Sequence, residues 1–185
     1  RIFGGFCIGV ILGTLFAAFT SWSAAADALL SPVIRIIRAT PVASFIILAL
    51  LWIGKAWVPC FISMLMVLPV VWGNVCSAVS ETDKSLLEMA KIYRFGTWKT
   101  LRFLFLPSAF ASWRAGCVTA LGLAWKAGVA AEVLCLPKQS IGAELYYSKI
   151  YLETPSLFAW TIVVILLSFL VEKGFVILMN RRGRL

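Results

Sequence analysis

Histidine is absent from this chain, and acidic residues are few: eight Asp and Glu stand against 17 Lys and Arg in 185 residues. The absence of His excludes Ser-His-Asp and Cys-His catalysis and the usual zinc sites. The only aspartates, Asp27 and Asp83, lie at the ends of apolar runs, whereas an intramembrane aspartyl protease needs two embedded in the membrane. No G-x-x-x-x-G-K-[ST] motif is present, so the chain has no P-loop for ATP. We therefore expect no catalytic residue, no metal site and no cofactor.

The five cysteines lie in or beside apolar runs and include no C-x-x-C pair. This placement favours small buried side chains over disulfides or metal ligands. The chain also lacks low-complexity tracts, Pro/Ser-rich linkers and a convincing internal repeat, and the missing repeat weighs against the inverted-repeat class of secondary transporters. We interpret residues 1–185 as one integral membrane domain.

Hydrophobic residues make up 62% of the chain, well above the roughly 45–50% typical of soluble domains. A transmembrane helix needs about 20 mostly apolar residues, and five stretches are candidates: residues 2–26, 39–54, 56–80, 107–136 and 154–171. The pairs Thr40-Pro41 and Thr154-Pro155 are typical of helix starts, with a capping hydroxyl before a proline. The sequence thus predicts an all-α, polytopic membrane protein of about five transmembrane helices plus short cytoplasmic helices.

The cations are distributed unevenly between the two predicted sides of the membrane. If residues 80–106 are cytoplasmic, ten cations fall inside and four outside, as the positive-inside rule expects. The inner set is Arg35, Arg38, Lys84, Lys91, Arg94, Lys99, Arg102, Arg181, Arg182 and Arg184. The net charge of +9 therefore indicates topology, and cations dispersed between spans argue against a nucleic-acid partner.

Residues 80–106 form the one strongly charged stretch of the chain. Leu86, Met89, Ala90 and Tyr93 recur there at helical spacing, and a second apolar repeat follows Gly96. The pattern predicts two short amphipathic helices that meet near a glycine and carry too much charge to cross a bilayer. Such a segment is available to a partner protein.

This stretch resembles the EAA loop of the permease subunits of bacterial ATP-binding-cassette importers, with the pattern Glu-Ala-Ala, three residues, Gly, nine residues, Ile, one residue, Leu-Pro. Glu88, Ala90, Leu104 and Leu106-Pro107 match in register. Met89 replaces the middle Ala, and Arg94 replaces the Gly, with Gly96 two residues later, so the hinge is expected to be moved or tightened. The segments RATPVASFIILALLWIG and ALGLAWKAGVAAEVL resemble the nitrate, sulfonate and taurine branch.

The resemblance implies an importer in the bacterial plasma (inner) membrane. Two permease copies, the second identical or related, would form the pathway, two cytoplasmic ATPase subunits would bind residues 80–106, and an extracytoplasmic binding protein would deliver a small, anionic solute. The residues expected to contact the ATPase are Leu86, Glu88, Met89, Ala90, Tyr93, Arg94 and Gly96. Family members have six spans, so we expect a first span upstream of Arg1. The open alternative is an ion-coupled secondary transporter or channel, which would use membrane-buried carboxylates and no ATPase.

Two rows of small residues repeat every four positions. The first predicted span carries Gly5, Gly9 and Gly13, and the fourth carries Gly116, Ala120, Ala124 and Gly128. Such rows let helix backbones approach closely in a bilayer. They predict helix packing either within one copy or between two copies.

Three charges interrupt the fourth predicted span. Arg114, near its inner end, is interpreted as a snorkelling anchor. Lys126 lies deeper in the span than Arg114, and Glu132 lies near the outer end of the span. Ionisable groups at membrane depth usually face a cavity or a partner. We expect both to line the translocation pathway; the alternatives are a bracing contact for Lys126 and a loop-capping role for Glu132.

Overall fold

The computed structural model describes residues 1–182, apart from the side chains of Lys84, Leu87, Lys91, Thr97, Trp98, Leu101 and residues 180–182. Arg184, counted above among the inner cations, lies outside this range. The described backbone forms α-helices and one π-helical turn, Leu101–Phe105. The α-helices are α1 Ile2–Trp22, α2 Ala24–Ala39, α3 Val42–Trp52, α4 Val58–Ser80, α5 Lys84–Ile92, α6 Thr97–Thr100, α7 Leu106–Cys135, α8 Ile141–Ile150 and α9 Thr154–Arg182.

Four helical segments are long and apolar enough to cross a membrane: Ile2–Trp22, Val58–Ser80, Arg102–Cys135 and Thr154–Met179. A fifth crossing is possible if α2 and α3, whose axes differ by 106°, count as one broken span. The prediction of an all-α membrane protein with about five spans is confirmed, but the second span is not one straight helix.

The break between α2 and α3 lies at Thr40-Pro41. A residue before proline is pushed out of the helical region, and Thr40 has φ −81° and ψ 133°. Its hydroxyl donates a hydrogen bond back to the Ile36 carbonyl at 2.8 Å. Thr40 therefore ends α2, and the prediction that it caps the start of the next helix is wrong.

Helices α1, α4 and α7 form the centre of the molecule. Gly5 of α1 faces Cys60 of α4, and Gly13 faces Leu68, so α1 and α4 run parallel. Gly116 of α7 faces Asn74 while Gly128 faces Ser63, so α7 runs antiparallel to both. Between α1 and α4 the chain must then return across the membrane, which requires α2 and α3 together to supply a crossing. With α7 and α9, this arrangement makes five crossings.

Polar side chains add interhelical hydrogen bonds to this centre. The Trp72 indole N–H donates to the Thr20 hydroxyl at 3.1 Å, and the Trp113 indole N–H donates to Thr14 at 2.9 Å. The Ser63 hydroxyl donates to the Ala124 carbonyl at 3.2 Å. Hydrogen bonds of this kind help hold helices together in lipid, where the hydrophobic effect does not. They fix the relative depth of α1, α4 and α7.

Helix α9 is peripheral by comparison. No residue between positions 154 and 179 is fully buried. Val171 and Phe175 nevertheless pack against the central cluster, and the Phe175 ring meets the Phe6 ring edge-on at 5.5 Å. Most of the α9 surface is thus open to lipid or to another chain.

Candidate coupling loop and pathway face

The segment 80–106, called the coupling loop below, connects α4 to α7. Helix α5 follows Asp83, whose carboxylate accepts hydrogen bonds from the Ser85 hydroxyl at 2.6 Å and the Ser85 backbone N–H at 2.9 Å. This is the bonding of an N-cap residue, which satisfies an otherwise unpaired backbone donor. The two bonds from Ser85, the hydroxyl first, lower the pKa of the Asp83 carboxyl. The cap sets the point at which the chain turns from α4 into α5.

Helix α5 exposes large apolar side chains. Leu86 is 44% exposed, Met89 42% and Tyr93 70%; Ile92 and Phe95, the latter just after the turn at Arg94, are exposed as well. We call these five residues the loop patch. Glu88 and Gly96 are also exposed. Because the loop lies at a membrane surface and carries charge, the patch is apolar area without a lipid environment, which marks an interaction site.

Ala90 differs from the other residues predicted to contact a partner. It is only 4% exposed and therefore packs against its own chain. At about 100° per residue, Ala90 lies some 40° around α5 from Leu86, where the helix turns toward the rest of the protein. Leu104, further along the motif, is buried as well. The geometry gives Ala90 a role in seating α5, with the exposed surface beside it.

Arg94 ends α5 in a left-handed conformation, with φ +50°. The Phe95 N–H donates to the Ala90 carbonyl at 2.8 Å, which is the 6→1 bond of a Schellman motif with Arg94 at its left-handed position. That position normally favours glycine because a Cβ is strained there. Gly96 has no positive φ, so the hinge stays at residue 94 and has not moved to the later glycine.

The end of the loop enters α7 through the π-helical turn Leu101–Phe105. Pro107 follows at once, and a proline ring clashes with the carbonyl four residues earlier and lacks a backbone donor. A π turn is wider than an α turn and is common at functional sites. The Leu106-Pro107 pair therefore accounts for the local widening, and the helical segment that begins at Thr97 continues into α7 without a break.

Both predicted rows of small residues pack against other helices of the same protein copy. A Cβ added to Gly9 would meet Val67 Cβ at 2.7 Å, and one added to Gly13 would meet the Leu68 carbonyl oxygen at 2.9 Å. On Gly5 it would overlap the Cys60 carbonyl. In α7, Ala120 and Ala124 are fully buried, and a Cβ on Gly116 would meet Asn74 Cβ at 2.9 Å. The contacts favour packing within one copy.

A second row of small residues on α7, missed by the sequence analysis, stays on the surface. Ala111, Ala115 and Thr119 are exposed, and Gly122 is half-buried, with open space within 4 Å of the place where a Cβ would stand. Ala111 and Ala115 line an open groove of about 470 Å³ together with Arg114 and Val118. The spacing of four, four and three residues could have revealed this row in the sequence. It was overlooked because the buried row beside it is longer and richer in glycine.

Lys126 lies on this exposed face of α7. Ser63, five residues after the start of α4, meets α7 on both sides of Lys126: its hydroxyl donates to the Ala124 carbonyl and lies 2.8 Å from the place of a Cβ on Gly128. Lys126 is therefore level with Ser63, about 8 Å inside the outer end of α4. Among the side chains described within residues 1–182, none forms a hydrogen bond or salt bridge with its ammonium. The bracing alternative therefore has no partner in the described part of one copy.

Glu132 is buried, at 8% exposure. Its Oε2 accepts a hydrogen bond from the Gly142 backbone N–H at 3.3 Å, at the start of α8. Gly142 is needed there because a Cβ would overlap Glu132 itself. A carboxylate at a helix N-terminus satisfies free donors and the helix dipole. These contacts are those of the loop-capping alternative, and Lys126 and Glu132 are not brought together.

Comparison with known families matches residues 7–182 to the family of binding-protein-dependent transport system inner membrane components. The match covers nearly the whole chain. The chain belongs to this family, which places it among multi-pass components of the inner membrane. The family consists of transport permeases and is not one of catalytic enzymes.

Curated relatives agree at low identity. The chain is 25% identical over 180 residues to the protein named aliphatic sulfonates transport permease protein SsuC in Bacillus subtilis, covering 96% of this chain and 64% of that protein. An ABC transporter permease protein of Brucella melitensis is 22% identical over 178 residues, covering 94% and 70%. The chain therefore spans about two thirds of the length of these relatives.

A solved structure shares the fold. The crystal structure of an amino acid ABC transporter with histidines superposes with a TM-score of 0.77, covering 99% of this chain and 87% of that one, at 16% identity. The likeness shows that the overall helical fold of this chain is also found in a chain of an ABC transporter.

Proposed function

We propose that this chain is the transmembrane permease subunit of an ATP-binding-cassette importer. Residues 1–185 form a single transmembrane domain, and the coupling loop within it, residues 80–106, binds a separate ATPase subunit. The observation that carries the proposal is the loop patch, in which large apolar side chains are exposed on a charged loop at the membrane surface. ATP hydrolysis takes place in the partner, and α5, joined through the turn at Arg94 to the helical segment that runs from Thr97 into α7, transmits the movement to the membrane helices.

An apolar helix face laid into a groove of a partner is a common recognition mode. Leu86 and Met89 lie along one side of α5, and Tyr93 follows at helical spacing just past its end; Glu88 and Gly96 are exposed in the same loop. Arg94 holds the turn that ends the helix. We assign direct contact with the ATPase to the loop patch and a seating role to Ala90.

The pathway is proposed to form between two copies, most simply a homodimer. The exposed row Ala111, Ala115, Thr119 and Gly122 allows close helix approach, and the buried rows are already occupied within each copy. Single-Cys variants at Ala115 and Thr119, in a background without the native cysteines, should cross-link copy to copy. Variants at Ala120 and Ala124, buried on the other side of α7, are the matched controls and should not.

Lys126 is proposed to face this pathway and to stabilise a small anionic solute. An exposed ammonium inside a membrane span is costly unless water, an anion or a partner faces it. The sulfonate transport named for the Bacillus subtilis relative is consistent with an anionic solute. The role predicted for Glu132 in the pathway is the weaker one, because its carboxylate is used by α8.

The test is reconstitution of the full-length protein with its ATPase and binding protein in proteoliposomes. We expect the three proteins to co-purify. Proteoliposomes with the ATPase facing the lumen should import an alkanesulfonate, nitrate or taurine only when ATP is enclosed in the lumen. Lys126→Gln should slow uptake and Lys126→Glu should nearly abolish it, with complex assembly unchanged. Normal uptake by Lys126→Glu would refute the pathway role, and uptake without an ATPase would refute the proposed function.

A further inference from the structure

The tryptophans that pack between the membrane helices differ in their hydrogen bonding. Trp72 and Trp113 each donate their indole N–H to a threonine hydroxyl of α1. Trp125 is only 8% exposed, yet its indole nitrogen has no hydrogen-bond partner in the part of the chain that the structure describes. A buried donor without an acceptor costs free energy and is rare in native proteins. The Trp125 N–H is therefore a candidate for a hydrogen bond that forms in another arrangement of the helices.

The surroundings of the Trp125 ring explain why it has no acceptor. The ring packs beside the outer end of α1, in one cluster with Ile2, and its centroid lies 6.3 Å from that of Phe3. Neither of these residues carries a hydroxyl group. The other side chains of the cluster are apolar as well: Val129, Leu145, Val164 and Leu167. An acceptor must therefore come from a residue that does not face the indole in this arrangement.

Helix α9 carries a hydroxyl at the right depth. Val164 and Leu167 pack against the cluster that contains Trp125, while Val171 packs against the central cluster further inward. Ser168 lies between these positions along α9 and is half-buried. Within the described residues, its hydroxyl forms no hydrogen bond. A donor on α7 and an acceptor on α9, both unpaired, thus lie at the same depth on neighbouring helices.

Helix α9 is held loosely enough to turn. No residue between positions 154 and 179 is fully buried. Of the described side chains in that range, Ser156 is the one that hydrogen-bonds another helix, through Ser148 of α8 at 3.0 Å. At about 100° per residue, Ser168 lies some 40° around α9 from Val164. A turn of that size would bring Ser168 to the place of Val164 beside the Trp125 ring.

We propose that α9 has a second seating on α7, in which the Ser168 hydroxyl accepts a hydrogen bond from the Trp125 indole N–H. Each seating makes a different contact, because the described one packs Val164 and Leu167 and the second pairs the buried donor. Two discrete contacts of one helix suit a transporter that switches between inward and outward access, a role that rests on the proposed function. The alternative is an enclosed water molecule on the Trp125 N–H, which needs no second seating.

The test is nuclear magnetic resonance of the indole N–H groups in the full-length protein, prepared with isotope-labelled tryptophan. A hydrogen-bonded indole proton resonates further downfield than a free one, so the bonded Trp72 and Trp113 are references in the same spectrum. We expect Ser168→Ala to shift the Trp125 signal upfield and Ser168→Thr, which retains a hydroxyl, to leave it in place. Thr161→Ala is the matched control on α9, because the Thr161 hydroxyl already bonds its own helix, and it should leave the signal unchanged.

Trp125→Phe identifies the Trp125 signal by its loss. No shift in Ser168→Ala would overturn the proposal in favour of an enclosed water, and an equal shift in Ser168→Thr would also overturn it. In the reconstituted transporter, loss of one interhelical hydrogen bond should slow import about fivefold in Ser168→Ala but not in Ser168→Thr. Unchanged import in Ser168→Ala would contradict the role in transport. The spectra need no ATPase, so they decide on the hydrogen bond independently of wild-type import, whose absence would refute the proposed function.

Discussion

The centre of the membrane domain and the coupling loop use apolar residues in opposite ways. Between α1, α4 and α7, glycines such as Gly9 bring backbones so close that a Cβ would not fit. In the loop, Met89 and Tyr93 are large and exposed. The difference follows from the surroundings. In lipid an exposed apolar side chain costs nothing, so close contact is marked by small residues; on a charged surface loop, large apolar residues without cover mark an absent partner.

The largest effect is expected where the close packing is broken. Gly128→Ala would place a Cβ 2.6 Å from Ile2 Cγ1 and 2.8 Å from the Ser63 hydroxyl, and overpacking of this kind costs about 1–3 kcal/mol. The midpoint of thermal unfolding in detergent should fall. Gly174→Ala, in the membrane helix α9 with no atom within 4 Å, is the control and should not lower the midpoint. Equal effects of the two variants would contradict the packing account.

A substitution in the loop patch should have a different effect: it should weaken binding of the ATPase without lowering the thermal stability of the permease. Met89→Glu puts a charge into the loop patch, where loss of an anchor costs about 2 kcal/mol or roughly 30-fold in affinity for the ATPase. The unfolding midpoint should not change, because Met89 is exposed. Binding of the purified ATPase, measured by surface plasmon resonance, checks the first point. Undiminished affinity would remove Met89 from the docking surface.

Ala90→Glu sharpens the comparison one residue further along. Because Ala90 is buried in its own chain, a carboxylate there must be desolvated, and the stability of the loop should fall together with ATPase binding. Protection of the loop amides from hydrogen exchange is the measurement. If Ala90→Glu loses binding while that protection is unchanged, Ala90 itself contacts the ATPase and its seating role is wrong.

A smaller effect, in the opposite direction, is expected at the hinge. Arg94→Gly relieves the left-handed strain at φ +50°, worth about 1 kcal/mol after allowance for glycine's greater entropy loss. Amides near the end of α5 should exchange more slowly. Arg94→Ala retains the strained Cβ and should show no gain. Faster exchange in Arg94→Gly would mean that the arginine side chain, and not the turn, holds this end.

The smallest effect concerns the Asp83 cap. Since the Ser85 bonds lower the pKa of this carboxyl, its contribution to the helix start is present above the ordinary Asp pKa and is lost as the pH falls through the lowered value. Amide protection at the start of α5 should decrease over that acid range. Asp83→Asn keeps a capping side chain without a titrating group and should remove the pH dependence. If amide protection in Asp83→Asn depended on pH in the same way as in the wild type, a group other than Asp83 would be responsible for the titration.

The sequence predicted what repeats along the chain. Long apolar runs gave the spans, and rows at every fourth residue such as Gly5, Gly9 and Gly13 gave faces that prove to be packed. It could not predict which neighbour each face meets. The 106° bend at Thr40-Pro41 was hidden because the same dipeptide is typical of both a helix end and a helix start.

Within the loop, the register of the motif was predictable and the orientation of single residues was not. Ala90 and Met89 are adjacent in sequence and share the predicted apolar side, yet one is buried and the other exposed. Periodicity identifies an apolar face, but it does not show which residues of that face pack against the chain's own core and which remain exposed to a partner. The sequence also could not predict whether Glu132 faces the pathway or caps a helix, because the backbone N–H that its carboxylate binds belongs to Gly142, ten residues later.

The central claim is that the loop patch is the docking surface for a separate ATPase. The most direct measurement is site-specific photo-cross-linking in native membranes, with a photoreactive amino acid at position 86, 89, 90 or 93. We predict cross-links to one ATPase species from positions 86, 89 and 93, and only internal cross-links from position 90. Cross-links to the ATPase from position 90 alone, or lipid adducts alone from the other three, would contradict the account.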